Sequence, residues 1–458
     1  MIVRTVVLIP RLAAASVILV LVACGGGNSN NPPPDSYTVG GTLTGLAVNQ
    51  TVNLSDNGTD SLTLSKSGAF IFAKPLLKGS SYSVTVSQQP VGQNCVVSNA
   101  TGSSTSENVA TVQVACSGIG QYAYVVNNAD RTVGQYSIAQ SGTLMPLSPS
   151  MVATGNSPRS ITVHPSHRYV YVANIGENTI SQYVIKSDGT LASNSPATVP
   201  TGRGPWDLEF DAQGQFAYVV NILDATVSQY SVDASGVLEA MAVVPVAAGP
   251  SPSNITLSPN GKYAYVSNYT PASAGSISQY AIAPDTGELS PLNPASVLAG
   301  SFPSASAVDA TNSYFYVADV GSNTVGEYSI GSGGELTALP LSTVSVEPDQ
   351  IAVHPSNKYA YVVNFESTSG VADSSGTVSR YDIAANGQFI PMTQPSVPAG
   401  GGAQWMTFDT SGKFLYVVNT TDSTVSEYSV GADGALTSLG TVPTGNNPYG
   451  IATTYVGP

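Results

Sequence analysis

Along residues 120–458, short runs of alternating apolar and polar residues are separated by turn-forming Gly, Pro, Asn and Asp, and the runs recur in a fixed order. A period of two sets one face of each run against a core, which predicts β-strands throughout. One run closes on Tyr, two small or apolar residues and then Asn or Asp: Tyr124-Val-Val-Asn127, Tyr171-Val-Ala-Asn174, Tyr218-Val-Val-Asn221, Tyr265-Val-Ser-Asn268, Tyr316-Val-Ala-Asp319, Tyr361-Val-Val-Asn364 and Tyr416-Val-Val-Asn419. The first four of these Tyr residues, at 124, 171, 218 and 265, stand 47 residues apart. A second run ends in Tyr, from Thr132-Val-Gly-Gln-Tyr136 to Thr424-Val-Ser-Glu-Tyr428, and a third opens on Gly-x-Leu or Gly-x-Phe, from Gly142 to Gly434.

A fourth run precedes the first and begins at Pro in most copies: Pro158, Pro205, Pro252, Pro303 and Pro348, with Ala403 in place of Pro in a sixth. The first copy lacks it, and the missing run, Pro448-Tyr-Gly-Ile-Ala-Thr, lies at the C-terminus. Four strands per repeat, with the last strand completing the first repeat, predict a closed ring without free sheet edges. The expected fold is all-β: a seven-bladed β-propeller over 118–458, closed by its C-terminal strand.

Residues 37–117 alternate in the same way between Gly, Asn and Asp turns and predict a small β-sandwich. Its size, its alternation and its Cys pair resemble the immunoglobulin-like modules of bacterial surface proteins. Asp56 to Asp60 is read as a hairpin turn, because the remaining ligands of a calcium loop are missing. Ahead of it, 24–36 is a Gly-, Asn- and Pro-rich tether. Residues 1–23 combine Arg4 and Arg11 with an apolar stretch too short to span a bilayer comfortably. That stretch ends Leu21-Val22-Ala23-Cys24, which resembles the bacterial lipobox and implies a lipoprotein signal peptide with lipidation at Cys24. The expected location is the cell envelope, attached through the lipid alone, and Gly25 after the Cys favours the outer membrane. Cys95 and Cys116 then remain as an even pair in an exported chain, which reads as a disulfide.

Composition narrows the function. Charged residues are 9% of the chain, with 14 Lys+Arg against 28 Asp+Glu and a net charge of −14. Clustered cations to neutralise phosphates are absent, which argues against nucleic acid. No spacing of Cys, His or carboxylates suggests a metal site, and no cofactor is expected.

The repeats resemble the seven-bladed lactonase family, whose namesake is 6-phosphogluconolactonase, and the related YVTN-type surface propellers. The resemblance implies a site at the channel mouth, where His, Arg and Glu open an ester ring. Its signature is Pro-Arg-His opening one inner strand and Asn-Glu closing the next. Here Pro158-Arg159-Ser160 keeps only the Arg, and the Asn/Asp anchors are followed by Asn128, Ile175, Ile222, Tyr269, Val320, Phe365 and Thr420. Arg159 is therefore the best catalytic candidate and the family's acid–base pair is not visible. His164, His167 and His354 fall in turns expected at the opposite end of the blades.

The residues after each strand-opening Pro differ among copies and form the expected ligand ring: Arg159, Trp206 with Asp207, Asn254, Asp349 with Gln350, Gln404 with Trp405, and Tyr449, with Arg203 nearby. Aromatic faces with few charges suit a small molecule, a carbohydrate or a peptide. Two loops, Asn268–Ser276 and Asn364–Thr377, are longer than their counterparts and belong on the mouth side. The sequence favours a monomeric, lipid-anchored propeller serving as a ligand-binding or protein-interaction scaffold. The alternative is a lactonase-family hydrolase with a degenerate site.

Overall fold

A computed structural model describes residues 36–47, 50–90, 93–103, 107–269, 274–340, 342–343, 347–365 and 375–456. Cys24 and the expected signal and tether segments, up to residue 35, lie outside the described residues, as do most of the two long loops. Among the described residues, no helix is long and apolar enough to cross a membrane.

Seven antiparallel sheets form the propeller, each with an inner strand, two middle strands and an outer strand that in two blades is split in two. The inner strands are Pro448–Val456, Pro158–Val163, Pro205–Phe210, Pro252–Leu257, Pro303–Val308, Pro348–Val353 and Ala403–Phe408, for blades 1 to 7 in order. Each touches the next around a closed ring. Closure occurs as the sequence predicts: Pro448–Val456 pairs antiparallel with Gly120–Asn127 and completes blade 1.

The three repeated anchors are the joints between blades. The first-anchor Tyr of each blade is buried, and its hydroxyl donates to the carbonyl of the third-anchor Gly in the next: Tyr124 to Gly189 (2.7 Å), Tyr171 to Gly236 (2.5 Å), and so on round to Tyr416, which reaches Gly142 (2.8 Å). Glycine is required at the receiving turn. Gly287, for example, has φ +71°, and a Cβ there would collide with the ring of Phe216. The second anchor adds another link. Gln135 Oε1 accepts the Leu191 N–H of the next blade (2.6 Å), and Gln182, Gln229, Gln279, Glu327 and Glu427 do the same for their neighbours. Within a blade, the anchor Asn stitches the first and second runs, as Asn174 Nδ2 does to Thr179 Oγ1 and Ser181 Oγ.

The N-terminal module is a sandwich of two four-stranded sheets, with Val39, Leu43, Leu54, Phe70, Phe72 and Val114 among its core residues. Cys95 and Cys116 form the expected disulfide. They are directly opposed on neighbouring strands of one sheet, whereas the antibody-domain bridge spans two sheets. The strand Val109–Gly118 also runs parallel to Val39–Thr44. Asp56 and Asp60 flank a hairpin turn, and their carboxylates accept the Ser83 and Lys74 N–H groups.

Candidate active site at the channel mouth

Every inner strand opens with a β-bulge. Pro205 opposes Asn221, yet Asp207 already opposes Val220, and the same one-residue slip recurs in the other six blades. A regular strand would send the two residues after the Pro to opposite faces. The extra residue re-aims them, so both point into the ring. Residues one and two after the Pro thus build two stacked tiers around the channel axis.

The upper tier floors a vestibule of about 400 Å³ with Arg159, Trp206, Ser253, Ser304, Asp349 and Gln404. Its wall is Ile222, Tyr269, Val320 and Phe365, from four successive blades, together with Glu347. Between the two tiers the channel narrows to about 20 Å³, lined by Arg159, Trp206, Asp349, Gln404 and Tyr449 of the upper and Ser160, Asp207 and Trp405 of the lower. That is room for roughly one water. Beneath it a polar cavity of about 450 Å³ continues past Glu209, Asn254, Thr256, Gln350 and Thr407.

Arg159 is clamped by its faces. Its guanidinium carbon lies 3.9 Å from the Trp206 ring centroid and 4.3 Å from that of Tyr449. Among the described residues no carboxylate lies within 4.0 Å of it. Burial lowers its pKa, opposed by Tyr449, Asp349 and Asp207, and a guanidinium stays charged under such opposition. The two rings hold the guanidinium at the constriction, beside the same cavity that Asp349 lines. Asp349 accepts from Ser304 Oγ (2.7 Å). Burial raises its pKa above the usual carboxylate range, with Ser304 and Arg159 pulling the other way.

Asp207 is spent on structure. Its Oδ1 accepts from Ser160 Oγ (2.8 Å), and its Oδ2 from Asn254 Nδ2 (2.7 Å) and the Ile255 N–H (3.3 Å). Burial raises its pKa against these bonds. Glu209, two residues along the same strand, faces the lower cavity, and burial reinforced by Asp207 pushes it up to about 8.

The ring is assembled largely from the residues expected of it, with three corrections. Arg203 lines neither cavity. It is exposed and ion-paired to Asp224 (2.7 Å), whose other oxygen caps the Arg203 N–H (2.6 Å). Asp130 and Asp422 cap the matching loops in blades 1 and 7, so this is a loop device repeated around the ring. Asn254 and Gln350 lie below the mouth, where Asn254 supports Asp207 and Gln350 accepts the Met406 N–H. Ser304 stands in the expected ring without being singled out there, and the wall is not anticipated. The wall is the position after each Asn/Asp anchor, where the sequence shows only the lack of Glu. The histidines hold turns at the far end: His164 Nε2 contacts the Gly214 carbonyl (2.8 Å), His354 Nε2 that of Gly412 (2.9 Å), and His167 meets Thr454 Oγ1 (3.1 Å). Among the described residues no cluster of His, Cys, Asp or Glu could hold a metal ion.

The fold and the two tiers define a closed seven-bladed propeller with a cationic, aromatic-flanked pocket at one end of its channel. The chain belongs to the seven-bladed β-propeller lactonase family, whose profile matches residues 57–339 and 372–454. A 6-phosphogluconolactonase of Pectobacterium atrosepticum is 30% identical over 159 residues, 33% of this chain and 46% of that protein. One from Pectobacterium carotovorum is 31% identical over 153 residues, 31% of this chain and 44% of that protein. The chain thus spans less than half the length of the curated relatives it matches. The solved structure of a periplasmic gluconolactonase from Pseudomonas aeruginosa shares the fold, with a TM-score of 0.59 at 17% identity, covering 73% of this chain and 99% of that one.

Proposed function

We propose that this protein hydrolyses a lactone in the vestibule, with Arg159 and Asp349 as its chemical groups. The observation that carries the reading is a guanidinium held by its faces, without a carboxylate partner, above the same small cavity as a carboxylate whose pKa burial raises. Arg159 N–H groups would hold the lactone carbonyl and stabilise the oxyanion formed on attack. Asp349, a stronger base than an ordinary carboxylate when ionised, would take a proton from the attacking water. The ring C–O bond then breaks, the ring oxygen receives that proton, and the product is one hydroxy acid per lactone and water consumed. Family membership supports the reaction class. Ser160 in place of the family's His, and the lack of a Glu after any of the seven Asn/Asp anchors, put the work on Arg159 and Asp349.

A pH-stat assay with δ-lactones tests this. Arg159→Ala and Asp349→Asn should each lower kcat/KM by roughly 10²- to 10³-fold. Wild-type activity should rise with pH as Asp349 ionises, and Asp349→Asn should lose that limb. Unaltered turnover in both variants would remove the proposal. The missing His and Glu also favour a second reading, a ligand-binding or protein-interaction scaffold, which would bind at the vestibule and turn nothing over.

We also infer that the chain works in the cell envelope on a lipid at Cys24. The Cys95–Cys116 disulfide supports an oxidising compartment.

A further inference from the structure

The vestibule is built for a molecule with two unlike ends. Its floor carries one guanidinium, two hydroxyls, a carboxyl and an amide, from Arg159, Ser253, Ser304, Asp349 and Gln404. Its wall is an apolar arc over blades 3 to 6, formed by Ile222, Tyr269, Val320 and Phe365. Each occupies one repeat position, directly after the buried Asn or Asp anchor, so the arc is anchored on strand ends rather than on long loops. Ile222, Val320 and Phe365 are half-buried, and Tyr269 stacks on Phe302 at 4.6 Å and 15°, which fixes its ring. The charge balance runs against an anionic substituent. Glu347 and Asp349 both face the space, and among the described residues that line it Arg159 is the one cation. A phosphate wants several donors and cations converging on it.

We propose that the substrate is a lactone bearing an apolar alkyl or aryl substituent of several carbons, with its ester on Arg159 and its substituent along the wall. This rests on the lactone-opening reading for the head group and on the wall alone for the tail. It makes Ile222, Val320 and Phe365 specificity-determining residues. Burying a methylene typically strengthens binding about fourfold. Each methylene that reaches the wall should therefore raise kcat/KM by that factor until the arc is filled.

The experiment uses the full chain and a homologous series, δ-valerolactone, δ-hexalactone, δ-octalactone and δ-decalactone, beside glucono-δ-lactone and its 6-phosphate. A matching set of non-hydrolysable δ-lactams is titrated by the fluorescence of Trp206 and Trp405, both of which lie at or just below the vestibule floor. Turnover climbing with chain length, and a slope flattened in both Phe365→Ala and Ile222→Ala, supports the proposal. Both are mouth residues, and two variants guard against one failing to fold. Turnover that is flat with chain length, or highest on the 6-phosphate, overturns it and leaves the lactonase reading standing. If no lactone is opened but lactam affinity climbs with chain length, the reaction is wrong and the apolar-tailed ligand is right. Neither turnover nor chain-dependent binding removes both.

Discussion

Arg380 breaks the pattern of inter-blade links, and replacing it should stabilise the protein. It occupies the position held by Gln135, Gln182, Gln229 and Gln279 in blades 1 to 4. In blades 1, 2 and 4 that Gln works both ways. Its Nε2 donates to a carbonyl of its own outer strand, as Gln135 does to Pro149 (2.9 Å), and its Oε1 accepts the next blade's Leu N–H. Arg380 keeps the first half by donating to the Gln394 carbonyl, but a guanidinium has no acceptor for Leu436. It is also 2% exposed, its Nε lacks a partner, and no carboxylate lies within 4.0 Å among the described residues. Arg380→Gln restores the acceptor and removes a buried charge. A net backbone hydrogen bond contributes about 1 kcal/mol, and satisfying a buried donor raises the gain to about 1–3 kcal/mol. At roughly 2 °C per kcal/mol for a unit of this size, Tm should rise by about 2–6 °C. Calorimetry and urea unfolding, with an unchanged m-value, measure the gain. The reciprocal Gln182→Arg should lose a similar amount. A lower or unchanged Tm for Arg380→Gln would refute the account of the joint.

Burial pushes Asp319, the one Asp among the anchor Asn residues, up to about 7 from an ordinary 3.8, so the folded state favours its proton. Its contribution is intact at low pH and is lost as pH rises from about 4 to 7, by roughly 4 kcal/mol in total. Asp319→Asn should flatten that loss, seen as urea midpoints that differ less between pH 5 and 8 than in the wild type. Deleting residues 446–458 should expose two sheet edges, abolish cooperative unfolding and promote aggregation, and a truncated protein melting like the full chain would contradict the closure. Cys24→Ala should move the protein out of the membrane fraction or block its processing, read by fractionation and a mass shift; unchanged attachment and processing would contradict the lipid anchor.

The propeller was legible because each blade repeats the same joints. Tyr, Gln and Gly recur because each has a fixed partner one blade away, so spacing alone revealed ring, strand count and closure. The candidate site was half legible for the opposite reason: it consists of what does not repeat. Variation after each Pro marked Arg159, Trp206, Asp207, Asp349, Gln404, Trp405 and Tyr449. The bulge that turns two consecutive side chains inward leaves no mark in residue type. Nor does stacking, so nothing in the sequence shows that Arg159 is held between Trp206 and Tyr449. Arg203 was misplaced because a charge near the mouth in sequence can be spent on a loop cap, as Asp224 shows. Ile222 and Phe365 were passed over because apolar residues at a rim read as packing until the space they enclose is seen.

The closing strand also sets a timetable. Asn127 accepts a hydrogen bond from Gly445, 318 residues later, and the strand Gly120–Asn127 has its inner neighbour only once Pro448–Val456 exists. Synthesised from the N-terminus, the chain can assemble blades 2 to 7 in sequence, but blade 1 stays incomplete until Pro448–Val456 has emerged. The ring is thus withheld from any chain on which that strand has yet to be made. Arrival of the closing strand, not the order of the blades, is the event that locks it.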